Sequence, residues 1–477
     1  MSIRTSIAWS FSEQFLQYGL QFAASVIIAR LLTPDEIGIF VLAMSASAIL
    51  TSLRTFGVGS YLIREPDLDL AKIRSAFGVM LAVSWSLALI LFLSRDFVAG
   101  LYERDGIAEA MSLLSLNFVI SPLGAPAAAL LTREMRFKVL HNIGIASSAI
   151  GTLVSVVLAY LGLSYMALTW GLLTTTSLYA LFSMLAMPRY AFVRPSFAHW
   201  RNIAEFGGLL SLATLIGKAN TEGTKFILGA FLNPAAVAQF GRAAQLPNNL
   251  RRGIFEPIGR VLLPAWSEHV RQGRSIGPAV EKLISLNTVI VWPVFLSLSF
   301  ISIPFMTIVF GENWRPAGEI FPWVLLAQGI LSMLPQPEQI LLPYGKVTRI
   351  FTVRCVAALF AVSVGAYGAS LGLEAFAICR VAATSFLTVL VFFSIKPFIA
   401  LQAWRLIAVY LRSGLVAVIA SIPAAIFYVA EQEAMTLQGL LLAVAACGLF
   451  WLGGVAITRH FVWIECLRMA GTAMGRG

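Results

Sequence analysis

Apolar runs of about twenty residues, parted by short polar breaks, follow one another from Ile7 almost to the C-terminus. A helix of that length crosses a hydrocarbon core of about 30 Å. The pattern predicts about fourteen spans, at 7–31, 36–60, 75–94, 108–131, 141–161, 166–187, 203–230, 235–255, 282–310, 319–342, 351–370, 373–395, 406–429 and 437–458. Lipid offers the backbone no hydrogen-bond partner, so spans of this kind are helical. The fold class is therefore an all-α polytopic membrane protein. The first run, interrupted by Glu13 and Gln17, is too long for a cleavable signal and reads as a span. The longest connection, 256–281, interleaves apolar residues with Arg260, Arg271 and Arg274. It reads equally as a segment along the membrane surface or as a solvated linker.

The spans repeat. A shift of 200 lays Ala29-Arg30-Leu31-Leu32-Thr33-Pro34 over Gly229-Ala230-Phe231-Leu232-Asn233-Pro234, and Phe40 over Phe240. A shift of 210 lays Gly162-Leu163-Ser164-Tyr165-Met166-Ala167 over Gly372-Leu373-Glu374-Ala375-Phe376-Ala377. Six helices bring the chain back to its starting face, so both halves have one orientation and a pseudo-twofold axis along the membrane normal. The expected organisation is an N-terminal six-helix lobe at 1–200 and a C-terminal six-helix lobe at 201–400. Helices 13 and 14 with a cytoplasmic tail fill 401–477.

Charge sets the topology. The chain is 58% hydrophobic and 12% charged, with a net charge of +11. Of its 34 Lys and Arg residues, about 25 flank the even connections and the termini, and about four (Arg30, Arg95, Arg104 and Arg315) flank the odd ones. The positive-inside rule then places both termini in the cytoplasm. The basic excess is topological and gives no reason to expect nucleic acid. Cys355, Cys379, Cys447 and Cys466 lack metal-ligand spacing, and the four histidines form no cluster. No phosphate-binding G-x-x-x-x-G-K-[ST] run occurs. The expectation is no cofactor, no metal and no enzymatic activity.

Several short stretches carry a family resemblance. Ile28-Ala29-Arg30-Leu31-Leu32-Thr33-Pro34-Asp35-Glu36-Ile37-Gly38 resembles the first external turn of the bacterial polysaccharide exporters of the MOP superfamily. The likeness is to Wzx-type flippases, in their WzxC-like branch. Phe56-Gly57-Val58-Gly59, Leu131-Thr132-Arg133-Glu134-Met135-Arg136-Phe137, Leu262-Leu263-Pro264-Ala265 and Phe310-Gly311-Glu312-Asn313-Trp314 extend it over about residues 5–345. The resemblance implies two six-helix lobes in a V around a central cavity, a MATE-like arrangement with two added helices. It further implies movement of undecaprenyl-pyrophosphate-linked oligosaccharide across the bacterial inner membrane by ion-driven alternating access. Membrane lipids, the polyprenyl-pyrophosphate-linked oligosaccharide, a polysaccharide polymerase and a chain-length regulator are the candidate partners.

An ionisable group at bilayer depth is costly and invites a functional reading. Lys218, Glu222 and Lys225 are spaced i, i+4, i+7 on one face of the seventh span. They could line a wet cavity and hold pyrophosphate, or neutralise one another within the helix packing. Glu13, Gln17 and Gln21 form a matching stripe on the first span, suited to sugar hydroxyls. Glu13 and Glu222 are the candidate ion-coupling carboxylates. Arg242, about 12 Å into the eighth span, could bind phosphate in bidentate fashion. Arg54 could do the same or snorkel, and Arg380 could line the cavity or pair with a carboxylate. Pro122 and Pro126 in the fourth span, and Pro335 and Pro337 in the tenth, mark kinks that could hinge. Trp314, Trp323 and Trp200 read as interfacial anchors.

Three other readings compete. A multidrug or cation antiporter of the same superfamily would favour carboxylates over cations in its cavity. A peptidoglycan-precursor flippase would share the chemistry and differ only in substrate. A membrane glycosyltransferase or ligase would need a large external loop with catalytic acids, and the predicted external loops are short.

Overall fold

Helix starts are set by local caps. At the turn between α1 and α2 (Gln21–Leu31 and Pro34–Arg54) Thr33 and Glu36 cap each other: the Thr33 N–H donates to the Glu36 carboxylate at 2.7 Å, and the Glu36 N–H donates to Thr33 Oγ1 at 3.3 Å. Pro34 takes the first helical position, where its missing N–H costs nothing. At the repeat-related turn Asn233 Oδ1 accepts from the Ala236 N–H at 2.8 Å, again followed by proline. The 200-residue repeat is thus a pair of matched caps.

The computed structural model describes residues 19, 21–54, 58, 61–62, 65, 67–190, 193–198, 200, 222–399, 403–431, 435–460 and 463, except the side chains of Arg54, Tyr190, 252–261, 263–264 and Ala403. In chain order the helices are α1 (Gln21–Leu31), α2 (Pro34–Arg54), α3 (Leu70–Leu93), α4 (Arg95–Tyr102), α5 (Asp105–Arg133), α6 (Phe137–Tyr160), α7 (Ser164–Ala186) and α8 (222–231). They continue with α9 (Pro234–Arg271), α10 (Gly277–Phe300), α11 (Ser302–Phe310), α12 (Arg315–Leu331), α13 (Pro337–Leu341), α14 (Val347–Leu371), α15 (Leu373–Ile395), α16 (Ala403–Glu431) and α17 (Leu437–Ile457). No strand occurs among the described residues. Ten of these helices are long and apolar enough to cross a membrane. The protein is an all-α, multi-pass membrane protein.

Three spans differ in detail from the sequence pattern. The run 282–310 is two helices, because Pro304 near the start of α11 cannot donate back to the preceding turn. The run 319–342 ends as a helix at Leu331 and resumes only at Pro337. The eighth helix does not stop near 255: α9 is one helix of 38 residues ending at Arg271, about 57 Å long at 1.5 Å per residue. Most of the expected surface segment or linker is therefore the continuation of that helix. Its last turns bury Trp266 in a cluster with Ile276, Ile340 and Ile395. By contrast α5 passes through Pro122 and Pro126 without interruption.

The chain packs as two compact units, 1–238 and 239–477. In the first, Gly124 of α5 meets the backbone of Ala180 on α7, and Gly151 on α6 faces Gly171 and Thr175 on α7 so closely that no methyl group fits. Small residues allow such approach where lipid provides no hydrophobic drive between helices. α8 and the start of α9 lie in this unit. Gly38 on α2 abuts the carbonyl of Pro234, and Gly229 abuts Leu42 and the ring of Tyr102. The Tyr102 hydroxyl, pushed up to about 12 by burial, stays a neutral donor toward the Phe226 carbonyl at 3.5 Å.

In the second unit α16 and α17 dock on α10 through a ladder of polar contacts. The Thr288 hydroxyl donates to Ser413 Oγ at 2.8 Å, and Trp451 Nε1 donates to the Val289 carbonyl at 2.8 Å. Ser285 and His460 share a hydrogen bond of 3.0 Å. The broken end of α12 is met from the same side. Trp292 Nε1 donates to the Gly329 carbonyl at 3.1 Å, and the Tyr410 hydroxyl donates to the Met333 carbonyl at 2.9 Å. The Met333 carbonyl would otherwise be orphaned by the break, whereas the Gly329 carbonyl also accepts from the Ser332 N–H and hydroxyl.

Candidate functional site

The α8 segment carries the pair Glu222 and Lys225. Their spacing of three residues puts both on one helix face, and Lys225 Nζ lies 2.6 Å from Glu222 Oε2. Glu222 is only 5% exposed, whereas about a third of the Lys225 side chain is open, 35% against 7% for Glu222. The carboxylate is sheltered and the ammonium reaches outward. Lys218, the third member of the stripe, lies outside the described residues. So do Glu13 and Gln17 of the first span; Gln21, which opens α1, is exposed.

Arg242 is buried, at 8% exposure, inside the second unit. Its guanidinium carbon lies 4.8 Å from the ring centre of Phe310 and 4.7 Å from that of Trp314. Nη1 donates to Gln245 Oε1 at 2.9 Å. A guanidinium is attracted to the negative face of an aromatic ring, more strongly when water is excluded. Gln239, one turn earlier, clamps the same corner: its Nε2 donates to the Asn313 carbonyl at 2.8 Å and its Oε1 accepts from the Ala317 N–H at 3.0 Å. Trp314 is fully buried, so it is a core residue, not the interfacial anchor its position suggested.

Arg380 differs. It stands about 10 Å along α15 from Leu373 and is half-buried. Among the described residues no carboxylate lies within ion-pair distance of its guanidinium. Of the two expectations for Arg380, pairing with an acid finds no support there. Arg54 is the last residue of α2, and its side chain lies outside the described set.

Two of the motifs that carried the family resemblance prove to be joints, while Phe56-Gly57-Val58-Gly59 lies, apart from Val58, outside the described residues. Arg133 Nη1 donates to the carbonyls of Leu62 at 2.9 Å and Glu65 at 2.6 Å, tying α5 to the chain that follows α2. The Phe310–Trp314 corner turns on Gly311, whose φ of +107° lies in the region that favours glycine. Sequence reasoning centred on charges also passed over two amides. Asn117 on α5 is buried, and neither side-chain polar atom has a partner; Asn287 on α10 is buried with a bare Oδ1. An amide inside an apolar run was the available signal, since desolvating one unpaired is also costly.

Comparison with known proteins gives a consistent picture. Residues 27–319 match the model of a family described as "Polysaccharide biosynthesis protein". The succinoglycan biosynthesis transport protein ExoT of Rhizobium meliloti is 27% identical over 390 residues, 78% of this chain and 76% of its own. The lipopolysaccharide biosynthesis protein WzxC of Escherichia coli is 23% identical over 69% of this chain and 67% of its own. Among solved structures, the lipid II flippase MurJ in an inward closed conformation matches with a TM-score of 0.71 at 13% identity, covering 96% of this chain and 98% of that one. An inward-facing multidrug resistance MATE family transporter of the MOP superfamily matches at 0.62 and 14% identity, over 82% of this chain and 94% of that one.

Proposed function

We propose a transport function from one premise: the chain belongs to the polysaccharide biosynthesis protein family and carries the fold of the MOP superfamily. Its cargo, on this reading, is an undecaprenyl-pyrophosphate-linked oligosaccharide carried across the bacterial inner membrane, with both termini in the cytoplasm. The lipid tail can stay in hydrocarbon, but a pyrophosphate bearing sugars needs a polar compartment that opens to each side in turn. No bond is made or broken. A polysaccharide polymerase and a chain-length regulator are the partners proposed to act on the delivered units.

The observation that carries the charge assignment is Arg380, a half-buried guanidinium in a membrane helix with no carboxylate beside it among the described residues. Such a cation favours an anionic ligand. Lys225 supplies a second charge, conditionally. While Glu222 is ionised it claims the ammonium; once a proton neutralises Glu222, Lys225 is released to a phosphate. Proton uptake and anion binding would then be linked at one pair. Lys218, Arg54, Gln17, Gln21 and Glu13 are the other residues proposed, from the sequence, to meet the cargo or the coupling ion. Arg242 is already engaged by two rings and Gln245, and is the least available of the set. Among the described residues the intramembrane acid Glu222 is committed to Lys225, which disfavours the cation-antiporter reading.

The test is leaflet exchange in proteoliposomes loaded with fluorescent polyprenyl-pyrophosphate oligosaccharide. Arg380→Gln together with Lys225→Gln should cut the rate at least tenfold at equal reconstitution. An unchanged rate removes both residues from the pathway. Faster exchange of lipid II than of the oligosaccharide would make the chain a peptidoglycan-precursor flippase.

A further inference from the structure

Three connections of the second unit converge on a cavity that the transport reading does not use. The loop after α9, the turn between α13 and α14 and the turn after α15 border an open recess of about 420 Å³, with Arg274, Tyr344, Lys396 and Phe398 in its lining. That volume falls in the range of ordinary small-ligand sites. Phe398 organises the recess. Its ring packs against Tyr344 at 5.3 Å between centres, and it holds Lys346 Nζ at 5.6 Å and the Arg349 guanidinium at 5.4 Å.

Arg274 and Lys396 thus line the recess, and Lys346 and Arg349 stand over the ring of Phe398, which lines it too. Among the described residues none of Arg274, Lys346, Arg349 and Lys396 has a carboxylate within ion-pair distance. Two acids of the adjoining segments are paired elsewhere: Glu268 holds Arg271 at 2.6 Å, and Glu338 holds Arg354 at 2.8 Å. Like charges left together without a counter-ion repel, and a bound anion relieves that repulsion. The recess also lies where three membrane helices end, α10 and α14 at their starts and α15 at its finish. Ends of membrane-spanning helices fall near lipid head groups, and the charge pattern of the sequence assigns these ends to the basic face. Basic pockets at helix ends on the cytoplasmic side are suited to anionic head groups.

We propose that this recess binds a phosphate-bearing anion, with an anionic phospholipid of the surrounding leaflet as its occupant. Arg274 and Lys396 would contact the phosphate, Lys346 and Arg349 would supply field from the Phe398 ring, and the acyl chains would run down between the helices. The inference rests on loop geometry and charge and holds whatever cargo the protein moves.

The experiment uses the full-length protein in nanodiscs of phosphatidylcholine, titrated with phosphatidylglycerol and read by lipid retention in native mass spectrometry. Wild type should retain phosphatidylglycerol about tenfold better than added phosphatidylcholine. Arg274→Gln with Lys396→Gln should abolish that preference, while Lys138→Gln, an exposed cation of the first unit, should leave it intact. A separate arm adds inorganic phosphate or pyrophosphate and reads thermal protection. Protection lost in the double variant, with no lipid preference in wild type, assigns the recess to a soluble phosphate and overturns the lipid. Equal retention by wild type and double variant overturns the site altogether. Should the double variant melt early in phosphatidylcholine alone, Phe398→Leu decides: it keeps the bulk, and an undiminished preference counts against the site. Leaflet exchange is not the readout, so failure here leaves the transport proposal standing.

Discussion

The carbonyl of Pro234 occupies the space where a side chain on Gly38 would stand. Both residues follow turns that the 200-residue repeat aligns, Pro234 directly after the cap Asn233 and Gly38 in the second turn after the cap Thr33. The approach needs a residue with no Cβ, since even a methyl group would have to move the backbone of α9.

Gly38→Ala should therefore destabilise the protein, although alanine is the better helix former. Overpacking of this kind costs about 1–3 kcal/mol, against a gain of about 1 kcal/mol in helix propensity. Gly144→Ala is the comparison, because nothing lies within 4 Å of the place its methyl group would take. Thermal unfolding in detergent should fall for the first variant and hold or rise for the second. Equal shifts would show that the close approach carries no constraint.

Glu222 and Lys225 should be energetically coupled. Removing one partner of a sheltered pair leaves a bare charge, at a cost of about 3–5 kcal/mol when burial is complete. The open Lys225 side chain brings the expectation down to about 1–3 kcal/mol. In a double-mutant cycle of Glu222→Gln and Lys225→Gln, the combined variant should be milder than the sum of its parts. Strict additivity would mean the 2.6 Å contact is without energetic consequence.

Arg242→Gln should act on stability first. Each ring contact of a desolvated guanidinium is worth about 1–2 kcal/mol, and the vacated corner would leave Phe310 and Trp314 poorly packed. Melting should drop while the affinity for lipid-linked oligosaccharide, measured on the folded fraction, stays within about twofold, well under 1 kcal/mol. A selective loss of affinity at normal stability would return Arg242 to the pathway.

His460 gives a pH signature. Burial, and then the charge of Arg412, hold its pKa below the ordinary histidine value. The unfolded chain thus takes up a proton before the folded one does. The His460 contribution is fully present above the ordinary histidine pKa of about 6.5, and is lost as pH falls through the lowered folded value. His460→Gln should flatten that part of the stability profile. A profile of the same slope in variant and wild type would falsify this account of the Ser285 contact.

Much of the fold was legible because lipid leaves few choices: an apolar run of twenty residues has to be helical, and Thr33 and Asn233 before proline announce where helices begin. The breaks were less legible, since proline alone does not decide them. Pro122 and Pro126 sit in an unbroken α5, whereas the helix before Pro335 ends where Trp292 and Tyr410 donate to the carbonyls of Gly329 and Met333. Those partners come from distant segments. The same holds for the site. The Glu222–Lys225 contact could be read from spacing, but nothing near Arg242 in sequence announces Phe310 and Trp314.

The reciprocal cap of Thr33 and Glu36 is made between residues only three apart. That reciprocal pair can form before Ser164 and Arg104, which also reach Glu36 and Asp35, arrive from later in the chain. During synthesis the first two apolar segments could leave the insertion machinery as a finished hairpin, its bend already acceptable to the lipid boundary. Breaking that reciprocity, by Glu36→Ala for example, should show up first as slower or inverted insertion of the nascent chain, before any effect on the mature protein is felt.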